Sequence, residues 1–142
     1  MILGINPYLI LNGNGEEAVS FYENAFNTKT LILQRFGDMP GDENTNLSDE
    51  EKNRILHAHL KVGSTDLMIS DTFTGLPYQI GDQTTLSILI NDVETTKEVF
   101  GKLQDGGKVI ISLHETFWSP LYGQVTDKFG VTWQVSTQSS QK

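Results

Sequence analysis

The 142 residues include ten basic and eighteen acidic side chains, a formal net charge of −8, and no cysteine. So acidic a chain, with its few Lys and Arg scattered, is unsuited to a polyphosphate backbone, and nucleic acid is not expected as a partner. The lack of cysteine excludes disulfides, thiolate metal sites and cysteine nucleophiles.

The length suits one domain able to bury roughly 70% of its unfolded surface. No apolar run approaches the roughly 20 residues of a membrane span. The start, MILGINPYLI, lacks the basic region and small-residue cleavage site of a signal peptide. A cytoplasmic location without a membrane partner is the expectation.

Tyr8–Leu11 reads as a strand that meets a turn at 12–15. Asn14 is the expected N-cap of a helix whose first turn holds Glu16 and Glu17, where carboxylates suit the positive pole. Ala18, Tyr22, Ala25 and Phe26 recur at 3.6-residue spacing, predicting a buried stripe. Strands are expected at 30–36, Ile55–Val62 and 66–70. Between the first two, GDMPGDENTNLSDEEKN (37–53) is acidic, with two Gly, a Pro and almost no apolar residue, and reads as a mobile loop.

The second half repeats the order. A strand at 85–90 leads to Asp92 as N-cap, a stripe of Val99, Phe100 and Leu103, and a left-handed stop at Gly106 and Gly107. Strands follow at 108–111, Tyr122–Thr126 and 131–136, and the tail from 138 to 142 should fray. Both halves are β-α-β-β-β, a first module within 1–72 and a second within 83–137, with Leu9 corresponding to Leu86. This internal repeat of supersecondary structure predicts an α+β fold of two βαβββ modules.

Alternation along the strands separates two faces. Leu56, Ala58, Leu60 and Val62 oppose His57, His59 and Lys61; Leu86, Ile88 and Ile90 oppose Thr85, Ser87 and Leu89; Val131, Trp133 and Val135 oppose Thr132, Gln134 and Ser136. The apolar sides suit packing under the helices. The other sides are polar but mostly uncharged, which suits a sheet curved around a ligand cavity, where a few polar groups converge among aromatics.

His57 and His59 share a strand face, the spacing several metal sites use for two nitrogen ligands. A third and fourth ligand are not set by spacing: Ser87, Gln134 and Met68 are poor donors, and Asp71 and Glu115 would have to come from loops. Histidine is also the natural general base near neutral pH, and an apolar setting beside Phe117 and Trp118 would raise the pKa of Glu115. The GNG at 13–15 lacks the full glycine fingerprint and reads as a tight turn, and no G-x-S-x-G element is present. HETFWSPLYGQ (114–124) is too irregular for a helix and too aromatic for an ordinary surface loop. With Trp133 already on the helix-facing side, Trp118 is expected to line a site.

The strings PYLILNGNGEEAVSFYENAF, GDMP, ILHAHL, LMISD and GGKVIISLHETFWSPLYGQVTDKFGVTWQVS cover nearly the whole chain outside the acidic loop. With them the chain resembles the vicinal oxygen chelate superfamily (glyoxalase, bleomycin resistance and dioxygenase proteins), and within it the PhnB-like group. The resemblance implies paired modules curving into a half-open barrel around a cavity. It also implies homodimers in which one subunit often completes the other's cavity. Metal-using members place His, Gln or Glu on the first and last strand of each module, positions that fall here near Pro7 or Tyr8, near Met68 or Ser70, at Thr85 or Ser87, and at Gln134. Of these only Gln134 suits a metal, so the standard set is not retained. Some members carry a ubiquinone methyltransferase label, but this sequence has no element that would bind S-adenosylmethionine.

The leading expectation is a small, partly apolar ligand held in the cavity without an obligatory metal or other cofactor. His57 and Glu115 are the candidates for proton transfer, and Tyr8, His59, Ser87, Phe117, Trp118, Tyr122 and Gln134 are the candidates for ligand binding. A ligand-sequestering protein and an enzyme both fit that set. The competing expectations are a divalent-metal lyase, isomerase or dioxygenase using His57, His59, Glu115 and Gln134, and a dimeric interaction module without ligand.

Overall fold

Side-chain alternation sorts the strands into two mixed sheets, each with a helix packed on its apolar face. The computed structural model describes residues 1–40 and 46–139. The chain divides into two compact units, Met1–Tyr78 and Gln79–Lys142, and each contains one β-α-β-β-β module.

In the first unit, β1 (Tyr8–Leu11), β2 (Thr30–Arg35), β3 (Ile55–Val62) and β4 (Thr65–Asp71) form a sheet of order β1-β4-β3-β2. β1 runs parallel to β4 and the other pairs are antiparallel. The register sets Ala58 opposite Ile69 and Leu60 opposite Leu67, and all four are buried. On them lies α1 (Gly15–Phe26), burying Ala18, Val19, Tyr22 and Ala25, with the half-buried Phe26 ring stacked 5.7 Å from that of Tyr22. Each fully buried aliphatic side chain in such a layer contributes on the order of 2 kcal/mol.

The start of α1 departs from the expectation. Asn14 occupies the N-cap, but its side chain caps nothing. Instead Asp71, expected in a loop, ends β4 opposite Leu11 and is buried. Its Oδ1 accepts from Gly13 N at 2.8 Å and Gly15 N at 2.9 Å, and its Oδ2 accepts from Ile55 N at 2.8 Å. A carboxylate is a stronger acceptor than a neutral amide, so it supersedes the local cap.

The segment 37–53 is also not loop throughout. β2 stops at Arg35, a 3-10 turn spans Phe36–Asp38, and α2 occupies Asp49–Asn53. α2 is started by a capping box: Ser48 Oγ accepts from Glu51 N, and Glu51 Oε1 accepts from Ser48 N. The Ser-x-x-Glu spacing carried this signal. Residues 41–45 of the same segment lie outside the described residues.

In the second unit, β5 (Leu86–Ile90), β6 (Lys108–His114), β7 (Tyr122–Thr126) and β8 (Thr132–Thr137) form a sheet of order β5-β8-β7-β6, again with its first and last strands parallel. α3 (Val93–Leu103) buries Thr96, Val99, Phe100 and Leu103, and Asp92 Oδ2 caps it by accepting from Thr95 N at 2.8 Å. A Cβ at Gly123 would stand 2.8 Å from Phe100 Cε2, so glycine in β7 makes room for that ring. β6 continues past the expected 111 to His114, with two register irregularities against β7. Gln138, expected to fray, donates its N–H to Ile90 O, while 140–142 lie outside the described residues.

Asp127 organises the β7–β8 turn. Its Oδ1 accepts from Phe129 N and Val131 N, and its Oδ2 from Trp133 Nε1 at 2.8 Å. Removing this buried carboxylate takes the shared acceptor from three donors, two of them backbone. Asp127→Ala is therefore expected to destabilise the chain by about 2–4 kcal/mol, read from urea unfolding, with loss of the fixed Trp133 signal in near-ultraviolet dichroism. A change under about 0.5 kcal/mol, the scale of ordinary surface substitutions, would refute this role.

Candidate functional site

The face of each sheet opposite its helix carries the sequence candidates. In the first unit, the register sets Tyr8 opposite Met68, Met68 opposite His59, and Gln34 opposite His57. Because paired residues share a face, these side chains form one surface. Tyr8 reaches diagonally to His57, its hydroxyl 3.1 Å from Nδ1 and the rings 5.8 Å apart. With Nδ1 as acceptor, the neutral ring carries its proton on Nε2.

His57 and His59 are neighbours, their ring centroids 6.5 Å apart, but they have different partners. His59 Nε2 meets Asp66 Oδ1 at 2.8 Å, and Lys61 Nζ donates to the same oxygen at 2.8 Å. The Lys61 ammonium first, and the His59 contact second, hold the Asp66 carboxyl below its ordinary value. Sequence reading missed Asp66. The hairpin between β3 and β4, which sets it opposite Lys61, is the feature that pointed to it.

In the second unit the polar face carries a row of neutral groups linked internally. Tyr122 OH donates to Gln134 Oε1 at 2.8 Å, and Gln134 Nε2 donates to Thr85 Oγ1 at 2.9 Å. Ser87 lies opposite Gln134. Trp118 meets Tyr122 edge-on at 5.5 Å and Phe117 at 5.0 Å, while His114, which sequence reading did not single out, approaches Tyr122 at 6.1 Å.

The connection bearing these aromatics is held by a residue that no motif flagged. Ser119 is buried; its Oγ donates within reach of Thr137 O at 2.8 Å and accepts from Thr137 N at 3.1 Å. Thr116 Oγ1 accepts from Ser119 N at 3.0 Å, closing the turn. Ser119 is thus the plug, and Trp118 stands 51% exposed and Phe117 98% exposed beside it. Glu115 lies just past β6 and is exposed, so the apolar surroundings anticipated for it are not assembled in its unit.

The metal-bearing positions of the resemblance can be tested on donor chemistry. They hold Tyr8 against Met68 in one unit and Ser87 against Gln134 in the other. Only Gln134 offers an oxygen that divalent metals favour, and that oxygen already accepts the Tyr122 hydroxyl. This set does not fit a divalent metal. Among the described residues no three or more His, Cys, Asp or Glu gather as a metal site requires. Nor, among them, is any helix long and apolar enough to cross a membrane.

Comparison with known proteins agrees with this architecture. The family model of the Glyoxalase/Bleomycin resistance protein/Dioxygenase superfamily matches residues 4–135. Protein YjdN of Escherichia coli (strain K12) is 31% identical over 148 residues, spanning 96% of this chain and 97% of its own. The crystal structure of protein PA1353 from Pseudomonas aeruginosa aligns with a TM-score of 0.85 at 36% identity, covering 96% of this chain and 98% of that one. A PhnB protein from Bacillus cereus aligns at 0.76 and 25% identity, covering 94% and 98%.

The Asp66 cluster yields a pH prediction. Because the folded-state value lies below the unfolded one, the contribution of its contacts to stability is present above the unfolded value and is lost as pH falls through the lowered one. Acidification to the ordinary value of 3.8 should leave the carboxylate bound to Lys61 and His59, with their release at lower pH. Side-chain NMR of His59 and Lys61 reports this, and Asp66→Asn should abolish the transition. Release of both groups at or above 3.8 in the native protein would contradict it.

Proposed function

From a chain that belongs to the Glyoxalase/Bleomycin resistance protein/Dioxygenase superfamily and is PhnB-like, we propose a cytoplasmic, homodimeric protein that binds a small, partly apolar ligand without an obligatory metal. The observation that carries this reading is the neutral chain Tyr122–Gln134–Thr85 beside the half-exposed Trp118. An aromatic wall gives apolar contact area, and a polar row without net charge selects orientation. The mismatched donor set supports independence from metal, in contrast to a glyoxalase-type lyase or dioxygenase.

His57 supplies a second element. Held at Nδ1 by the Tyr8 hydroxyl, it is the group on the first unit's face suited to exchange a proton at Nε2. This supports an enzymatic reading over plain sequestration, with Tyr8 orienting the ring. Self-association draws support from edge strand β6, which leaves Val109, Ile110 and Ile111 exposed in a row. The same exposed aromatics would serve an interaction module, which differs in requiring no small molecule.

Ligand binding is read through tryptophan fluorescence, since Trp133 is buried and Trp118 is not. In a screen of small neutral aromatic compounds, a hit should perturb the emission, and Trp118→Phe should remove the response. Tyr122→Phe should weaken such a hit by about fivefold, the worth of one neutral hydrogen bond. A screen without any response would favour the interaction module. Stoichiometric divalent metal in purified protein, lost on His57→Ala, would overturn metal independence, and elution at the monomer mass in gel filtration would overturn the homodimer.

A further inference from the structure

Asn12-Gly13-Asn14-Gly15 holds two Asn-Gly steps, chemistry that neither polar face uses. In such a step the glycine nitrogen attacks Cγ of the preceding Asn. A C–N bond closes a five-membered succinimide, the bond to the side-chain NH2 breaks, and ammonia leaves with the transferred proton. Water then opens the ring to Asp or isoaspartate. Glycine favours the attack because no Cβ shields its nitrogen.

Both glycines are dictated by packing. Gly13 has φ of +98°, and a Cβ there would stand 3.0 Å from Arg54 Nη2. A Cβ at Gly15 would stand 2.7 Å from Asp71 Oδ2. Asn12 and Asn14 are both exposed, and the Asn14 side chain makes no capping bond that would hold it away from the next nitrogen.

We propose that residues 12–15 are a latent deamidation site that Asp71 keeps closed. The two nitrogens that would attack, Gly13 N and Gly15 N, both donate to Asp71 Oδ1. Attack requires each nitrogen to shed its proton and turn its electron pair toward Cγ. Here the N–H must first leave a carboxylate that is only 5% exposed, and a nitrogen anion forming beside that charge is disfavoured. Ile55 N holds the other carboxylate oxygen, so the guard does not swing aside. Loss of one side chain therefore opens both steps together. The product places a new negative charge beside Asp71 and, as isoaspartate, an extra backbone atom in the turn, which makes a transient opening of the α1 N-terminus permanent.

The test is peptide mass spectrometry of Asn12 and Asn14 in protein aged in mildly alkaline buffer. The native chain should convert about ten- to a hundredfold more slowly than the same chain unfolded in urea, the factor set by breaking a charged hydrogen bond before attack. Asp71→Ala, checked for native dichroism, should convert faster at both positions. A folded Asp71→Ala protein converting at or below the native rate would overturn the proposal. If that variant does not fold, deamidation of the native chain in sub-denaturing urea should track hydrogen exchange of the Gly13 and Gly15 amides. Conversion while those amides stay protected would overturn it equally.

Discussion

Three backbone N–H groups converge on the Asp71 carboxylate, and the geometry of the first unit depends on that meeting. The bonds join the turn after β1, the first residue of α1, and the first residue of β3 to the end of β4. A buried charge is costly unless its lone pairs are filled, and here they are filled by donors that a helix start and a strand start would otherwise leave unpaired. One side chain thus sets where α1 leaves the sheet and where β3 enters it.

The second unit meets the same joint with different chemistry. Thr137 lies opposite Ile90 as Asp71 lies opposite Leu11. Its hydroxyl bonds Thr96 Oγ1 at 2.6 Å, and its backbone is held by Ser119 Oγ. No carboxylate is needed there because Asp92 already caps α3 from its own turn. Where the local cap works, the strand end is a small hydroxyl; where Asn14 does not cap, the strand end carries the charge. The anchor in the second unit also fixes the connection that displays Trp118, so holding the fold and presenting the aromatic surface are one structural act.

The two polar faces differ in the chemistry they offer. The first carries imidazoles, one beside a phenol and one paired with a carboxylate that an ammonium also holds. The second carries a neutral amide, hydroxyls and an aromatic cluster.

Periodicity along the chain was enough to determine the repeat, both long helices and their buried stripes apart from the half-buried Phe26, the strand faces, and the cap at Asp92. Each depends on spacing within a few residues, and spacing is visible in one dimension. The short helix α2 was also written locally, in Ser48 and Glu51, but the acidic composition around it masked the capping box. Partner choice could be decided only by tertiary structure. His57 and His59 look equivalent in sequence, yet strand register gives one to Tyr8 and the other to Asp66. Ser119 rather than Trp118 is buried because a hydroxyl can satisfy the backbone of Thr137 and an indole cannot. Asp71 reads as a loop residue until β1, β3 and α1 bring their amides to it from 16 to 58 positions away. A side chain's role follows from which donors reach it, and that is set by the packing of distant strands.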